Sequence, residues 1–468
     1  MFNIKNARPT SLLLILAAWL VLCAIPLTPR LAADDFAFHE VGARAASLGG
    51  AFTARADDTA ALFYNPAGLA FLPGLRFKTN ITLGGRVTNA AWPGGGPSWK
   101  SSPYEILGGH ALSWQPFRRV TVATGLFPVA TFSANWNQIW SGRTEAVRTE
   151  LYIGSFRSAI AVEVVKDLAV SVGVDVISSS VIWNYRIPFD FELNPLPGPA
   201  NVESRNRLEA HGVGFVAGAL WKIVPAVQVG ASYRKAVGLD LEGRGSHVCS
   251  LFTSPLLPAP DGDTISLEAL AQRFYENQTI TGRQTVPREI TCGLALTPLA
   301  RLSLYADVQW TRWSEFGQWT FRSTNADGVL APDWTTEYEE FYGITPDYGT
   351  QSVPFALEDT RTIKTAVEYR PFEHIAVRAG YARHESSVAA ADRSPLYPDL
   401  DRNVYSLGFG YEGPVFSIWR NSERIADLSF DVFARYASAA PQESAYPGFE
   451  MTYSSKRFTW GVGVGFSF

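Results

Sequence analysis

Apolar and polar residues alternate with a period of two along most of the chain. Leu168, Val170, Val172, Val174 and Val176 are separated by small or polar residues, and the same rhythm returns at Val227–Tyr233, Leu302–Trp310, Ile375–Tyr381 and Tyr405–Tyr411. Strict alternation is the signature of a strand with one apolar face. About fourteen such segments follow residue 74, starting near Leu75, Tyr104, Val120, Val147, Leu168, Leu208, Val227, Arg288, Leu302, Arg361, Ile375, Val404, Leu428 and Lys456. Their connections alternate in length. Gln115–Arg119, Lys166–Asp167, Lys222–Ala226, Thr297–Ala300 and Arg370–His374 are tight, whereas Asn89–Ser102, Arg186–Asn206, Arg244–Thr285, Phe321–Leu357 and His384–Asn403 are long. Glu412–Asp427 is an exception, too long for a tight turn. Short turns at one end and long loops at the other are what a transmembrane barrel requires.

The final segment places Phe458, Trp460, Val462, Val464, Phe466 and Phe468 on one face. As an open edge such a strand would aggregate. Closure satisfies its backbone even in lipid. The pattern predicts an all-β fold, a 14-stranded antiparallel transmembrane β-barrel over residues 74–468. Its C-terminal Phe468 resembles the signal read by outer-membrane assembly machinery. Ahead of the barrel, residues 34–73 do not alternate and are rich in small residues. Asp57 or Asp58 is placed to cap a short helix through Ala60–Tyr64, which Pro66 stops. Fourteen strands enclose more space than their own side chains fill, so this segment reads as a plug, partly helical. Residues 1–33 read as a signal peptide: Lys5 and Arg8, the apolar run Ser11–Leu27, then Ala32 and Ala33. The location implied is the outer membrane of a Gram-negative bacterium, with lipid and lipopolysaccharide as neighbours.

Composition supports this reading. Only 18% of the 468 residues are charged, against about a quarter in soluble domains. The net charge of -4 argues against a nucleic-acid partner. The six His have no metal-binding spacing, and neither a G-x-S-x-G elbow nor a P-loop occurs. No cofactor, metal or catalytic residue is expected. The signal peptide would remove Cys23, and pairing of Cys249 with Cys292 is left open by the sequence.

Several motifs carry a family resemblance. Ala56-Asp57-Asp58 to Tyr64-Asn65-Pro66-Ala67-Gly68 resembles the hatch signature of the FadL/TodX-type long-chain fatty acid and hydrocarbon transporters. Trp140-Ser141-Gly142-Arg143, Val213-Gly214-Phe215, Asp307–Ser314 and Pro398–Arg402 are similar to later family motifs in the same order. The resemblance implies capture of a hydrophobic molecule at extracellular loops, a lumenal pocket, and lateral release through the wall. Gly125, Phe127 and Pro128 mark the expected opening, because Gly weakens a strand and Pro cannot donate to its ladder. The family often has Phe-Gly after this proline; Val129 and Ala130 stand there. Asn65, Pro66 and Ala67 are the expected gate, with Asn65 hydrogen-bonded to the kinked wall. Arg157, Arg361 and Lys364 are candidate lumenal partners for a carboxylate. Trp136 and Trp140 are candidate capture residues. Long-chain fatty acid is the expected ligand, with aromatic or alkane hydrocarbon as the alternative. A structural or adhesive barrel is the alternative of another class.

Overall fold

The computed structural model describes residues 40–468 apart from 94–95, 138–139, 190–199, 250–255, 268, 271–277, 318, 325–340, 343–349, 354–355 and 417–423. The signal-peptide reading falls outside them. Fourteen antiparallel strands close into one barrel. They are β1 Leu75–Ala91, β2 Tyr104–Phe117, β3 Val120–Asn135, β4 Arg148–Val165, β5 Leu168–Phe189, β6 Ala200–Val224 and β7 Val227–Arg234 with Val237–Cys249. Then come β8 Gln278–Val286 with Glu289–Leu299, β9 Leu302–Thr311 with Trp319–Thr324, and β10 Thr350–Val353 with Thr360–Phe372. The last four are β11 Ile375–His384, β12 Arg402–Phe416, β13 Arg424–Glu443 and β14 Thr452–Ser467. Closure joins β1 to β14 in unbroken register from Arg76↔Ser467 to Ala91↔Thr452.

The faces of the wall are reversed relative to a water-soluble barrel. Val172, Val213 and Leu407 are 67%, 61% and 65% exposed, whereas Ser171, Asp175, Ser179 and Ser406 on the other face are buried. Apolar residues outside and polar residues inside are the arrangement of a membrane barrel. Exposed aromatics collect beside the short turns, at Trp114, Phe117, Trp221, Tyr369 and Phe372, as an interfacial girdle would. All five expected tight turns are two-residue connections, and the left-handed φ of Arg119 and Asp167 closes two of them.

The long-loop side differs from the sequence expectation. β6 begins at Ala200 rather than Leu208, and strands intrude into the expected loops 244–285 and 321–357. These extensions rise past the apolar belt, so their outer positions carry Arg205, Arg207 and Glu209 instead of aliphatics. Period two persists there without its hydrophobic marker.

Residues 41–72 are almost wholly buried inside the ring. They form α1 (Ala43–Ser47), α2 (Ala61–Tyr64) and a 3-10 turn over Pro66–Phe71. Asp58 Oδ1 accepts the Ala60 N–H at 2.8 Å in the turn ahead of α2, but neither Asp57 nor Asp58 caps that helix, whose N-cap is Ala60 with no side-chain cap bond; Asn65 is extended before Pro66. Lumen-facing glycines allow the hatch backbone to touch the wall. A Cβ at Gly230 would sit 2.4 Å from Thr53 O, and one at Gly380 2.3 Å from Leu48 C. With Gly463 of β14, opposite β7, where a Cβ would lie 3.0 Å from Ala43 Cβ, these contacts are spread around the ring, so the segment fills it.

Candidate functional site

The lumen, its plug and the adjoining wall form the candidate site. On β3 the ladder with β2 ends at His110↔Leu126. The β3–β4 ladder continues to Asn135↔Arg148, with a bulge at Val129 between Pro128 and Ala130. Every residue from Phe127 to Ala134 is buried, so the strand has left the lipid-facing surface and lies inside protein. Its orphaned backbone is satisfied from elsewhere: Arg86 of β1 donates to Ser133 O at 2.8 Å, and Ser101 Oγ accepts the Asn135 N–H at 2.8 Å. At Gly125, Phe127 and Pro128 the two strands β2 and β3 part. Phe63 of the hatch covers the parting, edge-on to Phe127 with centroids 5.6 Å apart.

Asn65 is fully buried, but it does not bond the kinked wall as expected. Its Nδ2 donates to Thr53 O and to Ala219 O of β6, both at 2.9 Å, and its Oδ1 accepts the Ala67 N–H. The physical reason is reach. The extended Asn65 backbone aims its amide towards β6, and Gly218 leaves the space for it: a Cβ there would lie 2.3 Å from Asn65 Oδ1. Pro66 opens the following 3-10 turn, and Ala67 is buried behind it.

The three candidate cations have different fates. Arg157 faces the lumen, pairs with Asp175 at 2.5 Å and donates to the Phe63 and Leu62 carbonyls. It anchors α2. Lys364 is buried and donates to Gln309 at 2.7 Å. Arg361 is exposed on the outer face, paired with Glu385. It lies three positions from Lys364, an odd spacing, so period two sets them on opposite faces.

A cation cluster that the sequence did not reveal lies beside the start of the hatch. His384, Arg402, Arg435 and Arg457 line a small cavity of ≈ 10 Å³ with Glu40, room for about one water. Arg435 holds the Glu40 carboxylate at 2.7 Å, His384 lies 3.9 Å from it, and Arg457 pairs with Glu105. The grouping is spatial, across β11, β12, β13 and β14, and left no local pattern.

The opposite end of the lumen is an ionic floor. Arg44 of α1 pairs with Asp57 at 2.9 Å and Glu368 at 3.3 Å, and Arg378 joins Glu368 to Asp431 at 2.6 and 2.7 Å. Lys78 joins Asp431 to Asp58 at 2.8 and 2.7 Å. Burial alone would raise the Asp57 carboxyl; Arg44 and Arg55 outweigh it and hold it below the usual range.

Towards the loops, Trp136 and Trp140 stack with centroids 4.6 Å apart and Trp99 packs edge-on to Trp140 at 6.5 Å. The Trp136 indole donates to Pro395 O and the Trp140 indole to Ala146 O. Both rings are buried, so this cluster is a closed aromatic wall. Among the described residues no group of His, Cys, Asp and Glu has metal-site geometry, and Cys292 is an exposed free thiol.

A closed 14-stranded barrel with lipid-facing aliphatics and a hatch-filled lumen defines an outer-membrane transport barrel. The family model of the outer membrane protein transport protein (OMPP1/FadL/TodX) matches residues 31–468, and the chain belongs to that family. Among solved structures it is similar to a Pseudomonas aeruginosa FadL homologue, at 17% identity and TM-score 0.73 over 93% of this chain and 100% of that one. It is also similar to the P. putida toluene transporter TodX, at 16% identity and TM-score 0.67 over 93% and 99%. The Ralstonia pickettii toluene transporter TbuX matches at 15% identity and TM-score 0.62 over 92% and 99%. A comparison with curated protein sequences finds no match.

Proposed function

We propose that this protein moves hydrophobic small molecules, foremost long-chain fatty acids, from the extracellular side into the outer membrane, releasing them laterally where β2 and β3 part. The parting itself carries the reading: the ladder stops at Leu126, and apolar Phe127, Val129 and Phe132 take the place of lipid-facing strand. An acyl chain loses about 0.8 kcal/mol per CH₂ on leaving an apolar environment for water. Passage straight down would also break the ionic floor, at about 3–5 kcal/mol for each buried pair left with one partner. The sideways route is lined by the aromatic and aliphatic side chains of Phe63, Phe127, Val129 and Phe132. Asn65, Pro66 and Ala67 serve as the hinge of the hatch, and Phe63 as the cover that moves off Phe127.

For a fatty acid the carboxylate would take the place of Glu40 in the cluster of His384, Arg402, Arg435 and Arg457, where Arg435 now holds the Glu40 carboxylate and little other space is free. One observation favours neutral hydrocarbons instead: Arg157 and Lys364 are engaged by the protein's own groups. Uptake of labelled oleate and labelled toluene by cells lacking other importers decides between them. Pro128→Val, which returns a backbone donor to β3, is expected to slow uptake in a barrel that stays heat-resistant. Unchanged uptake would remove the lateral reading.

A further inference from the structure

The wall parts at a second place. β6 and β7 pair from Val224↔Val227 up to Val216↔Arg234, and again from Glu209↔Glu242 to Val202↔Cys249. Between these stretches, residues 210–215 of β6 and 235–241 of β7 are not ladder partners. One backbone bond remains at the lower end, Lys235 N–H to Phe215 O at 2.9 Å.

The cause is a bend that β7 shares with β8. Lys235–Ala236 interrupts β7 and Pro287–Arg288 interrupts β8, yet these two strands stay paired across the interruption, at Arg234↔Glu289 and then Val237↔Val286. Pro287 cannot donate to a ladder, which fixes the break there. β6 has no interruption and does not follow.

Side chains alone close the seam. A Cβ at Gly212 would lie 2.5 Å from Leu239 Cδ2, and a Cβ at Gly214 2.5 Å from Val237 Cγ2. The aliphatic tips of β7 thus lie on bare β6 backbone. Val237, Leu239 and Leu241 are buried, while Val213 and Phe215 beside them face lipid. On the outer side a Cβ at Gly238 would meet nothing within 4 Å. The parting of β8 from β9 is different, because buried Trp313 and Phe316 fill it and Arg312 N–H bonds Arg288 O. Among the described residues no such filler covers the β6–β7 seam.

Its height suits exchange with the outer leaflet. At ~3.3 Å per residue and ~40° tilt, residues 235–241 lie roughly 20–35 Å above the Val224–Val227 turn, so the seam starts within the top of a band about 25 Å tall and runs past it. Opening an intact ladder there would expose backbone donors and acceptors to hydrocarbon. The outer rim is polar, with His211 exposed and Asp240 paired with Arg283 at 3.5 Å, but the closure behind it is aliphatic, so an apolar molecule there replaces aliphatic contacts with similar ones.

We propose that the β6–β7 seam is a second lateral port, through which uncharged apolar chains or rings pass between the outer leaflet and the lumen. It rests on the reading that apolar molecules cross this wall at all. The test uses the full protein in proteoliposomes with two uncharged photoreactive probes, a hexadecane carrying a terminal diazirine and an aryl diazirine of toluene size. Labelling is expected within 210–215 and 235–241, competed by excess dodecane. Gly238→Trp, which fills the open outer side, is expected to abolish that labelling and to lower uptake without eliminating it, with labelling at 127–135 retained. Leu239→Ala, which thins the closure, is expected to raise uptake. Labelling confined to 127–135, with uptake indifferent to both variants, would overturn the second port alone. Absence of labelling at both places, with no uptake, would overturn lateral passage and the seam with it.

Discussion

Asn65 offers the sharpest test of how the hatch is held. Asn65→Ala deletes three hydrogen bonds at a fully buried position, leaving Thr53 O, Ala219 O and Ala67 N–H short of partners. Each such buried orphan costs about 1–3 kcal/mol, so the loss is about 3–5 kcal/mol once some water or backbone adjustment is allowed. None of these bonds belongs to the barrel ladder, so the loss falls on hatch docking and not on closure. At 1.4 kcal/mol per decade, amides in residues 53–72 should exchange about 10²–10³-fold faster. Asn65→Asp should be as damaging although nearly isosteric, because it sets a carboxylate oxygen against two carbonyls. Hydrogen exchange read by mass spectrometry, beside the thermal transition of the barrel, checks both. Unchanged hatch protection would refute the argument, and so would a barrel that melts in step with the hatch.

Other outcomes follow from the same geometry. Arg157→Leu should loosen the hatch more than Arg157→Leu with Asp175→Leu, since the single change strands a buried carboxylate at about 3–5 kcal/mol; proteolysis within residues 40–72 would show the order. Because the Asp57 carboxyl is held below its ordinary value, its contribution is present above the unfolded pKa of about 4 and is lost as pH falls through the lowered folded value. Protection of residues 55–58, beside the Arg44–Asp57 pair, should therefore be the same at pH 7 and pH 5 and decline only in stronger acid, and a loss there between pH 7 and 5 would contradict this assignment. Arg435→Gln should weaken oleate binding in native mass spectrometry and leave toluene uptake unaltered, and equal losses for both would remove the carboxylate role.

How much of this was readable depended on whether the signal was local. Ile375, Val377, Ala379 and Tyr381 alternate because lipid selects every second side chain, and β11 begins at that isoleucine. Pro128 announced a broken ladder because proline lacks the donor that every ladder needs. Arg361 was misplaced although the parity that turns it outward was present: Thr360, Thr362 and Lys364 are buried and Arg361 is exposed. The upper strands were hidden because Arg205 and Glu209 face water. Asn65's partner on β6 lies 154 positions away, and the Glu40–Arg435 contact spans most of the chain, so neither left a pattern at short range. Gly230, Gly380 and Gly408 were the overlooked signal, since a glycine inside a strand often records a second backbone pressed against it.

The filled lumen has a consequence for the membrane as a permeability barrier. Among the described residues the hatch touches glycines around the ring and its charges are paired with those of the wall, which leaves little room there for a hydrated ion. A planar bilayer holding many copies should carry almost no steady current, unlike one holding an open porin of similar girth. Cells can then raise the copy number of such a protein without becoming leaky to salts, and only variants that unseat the hatch should conduct.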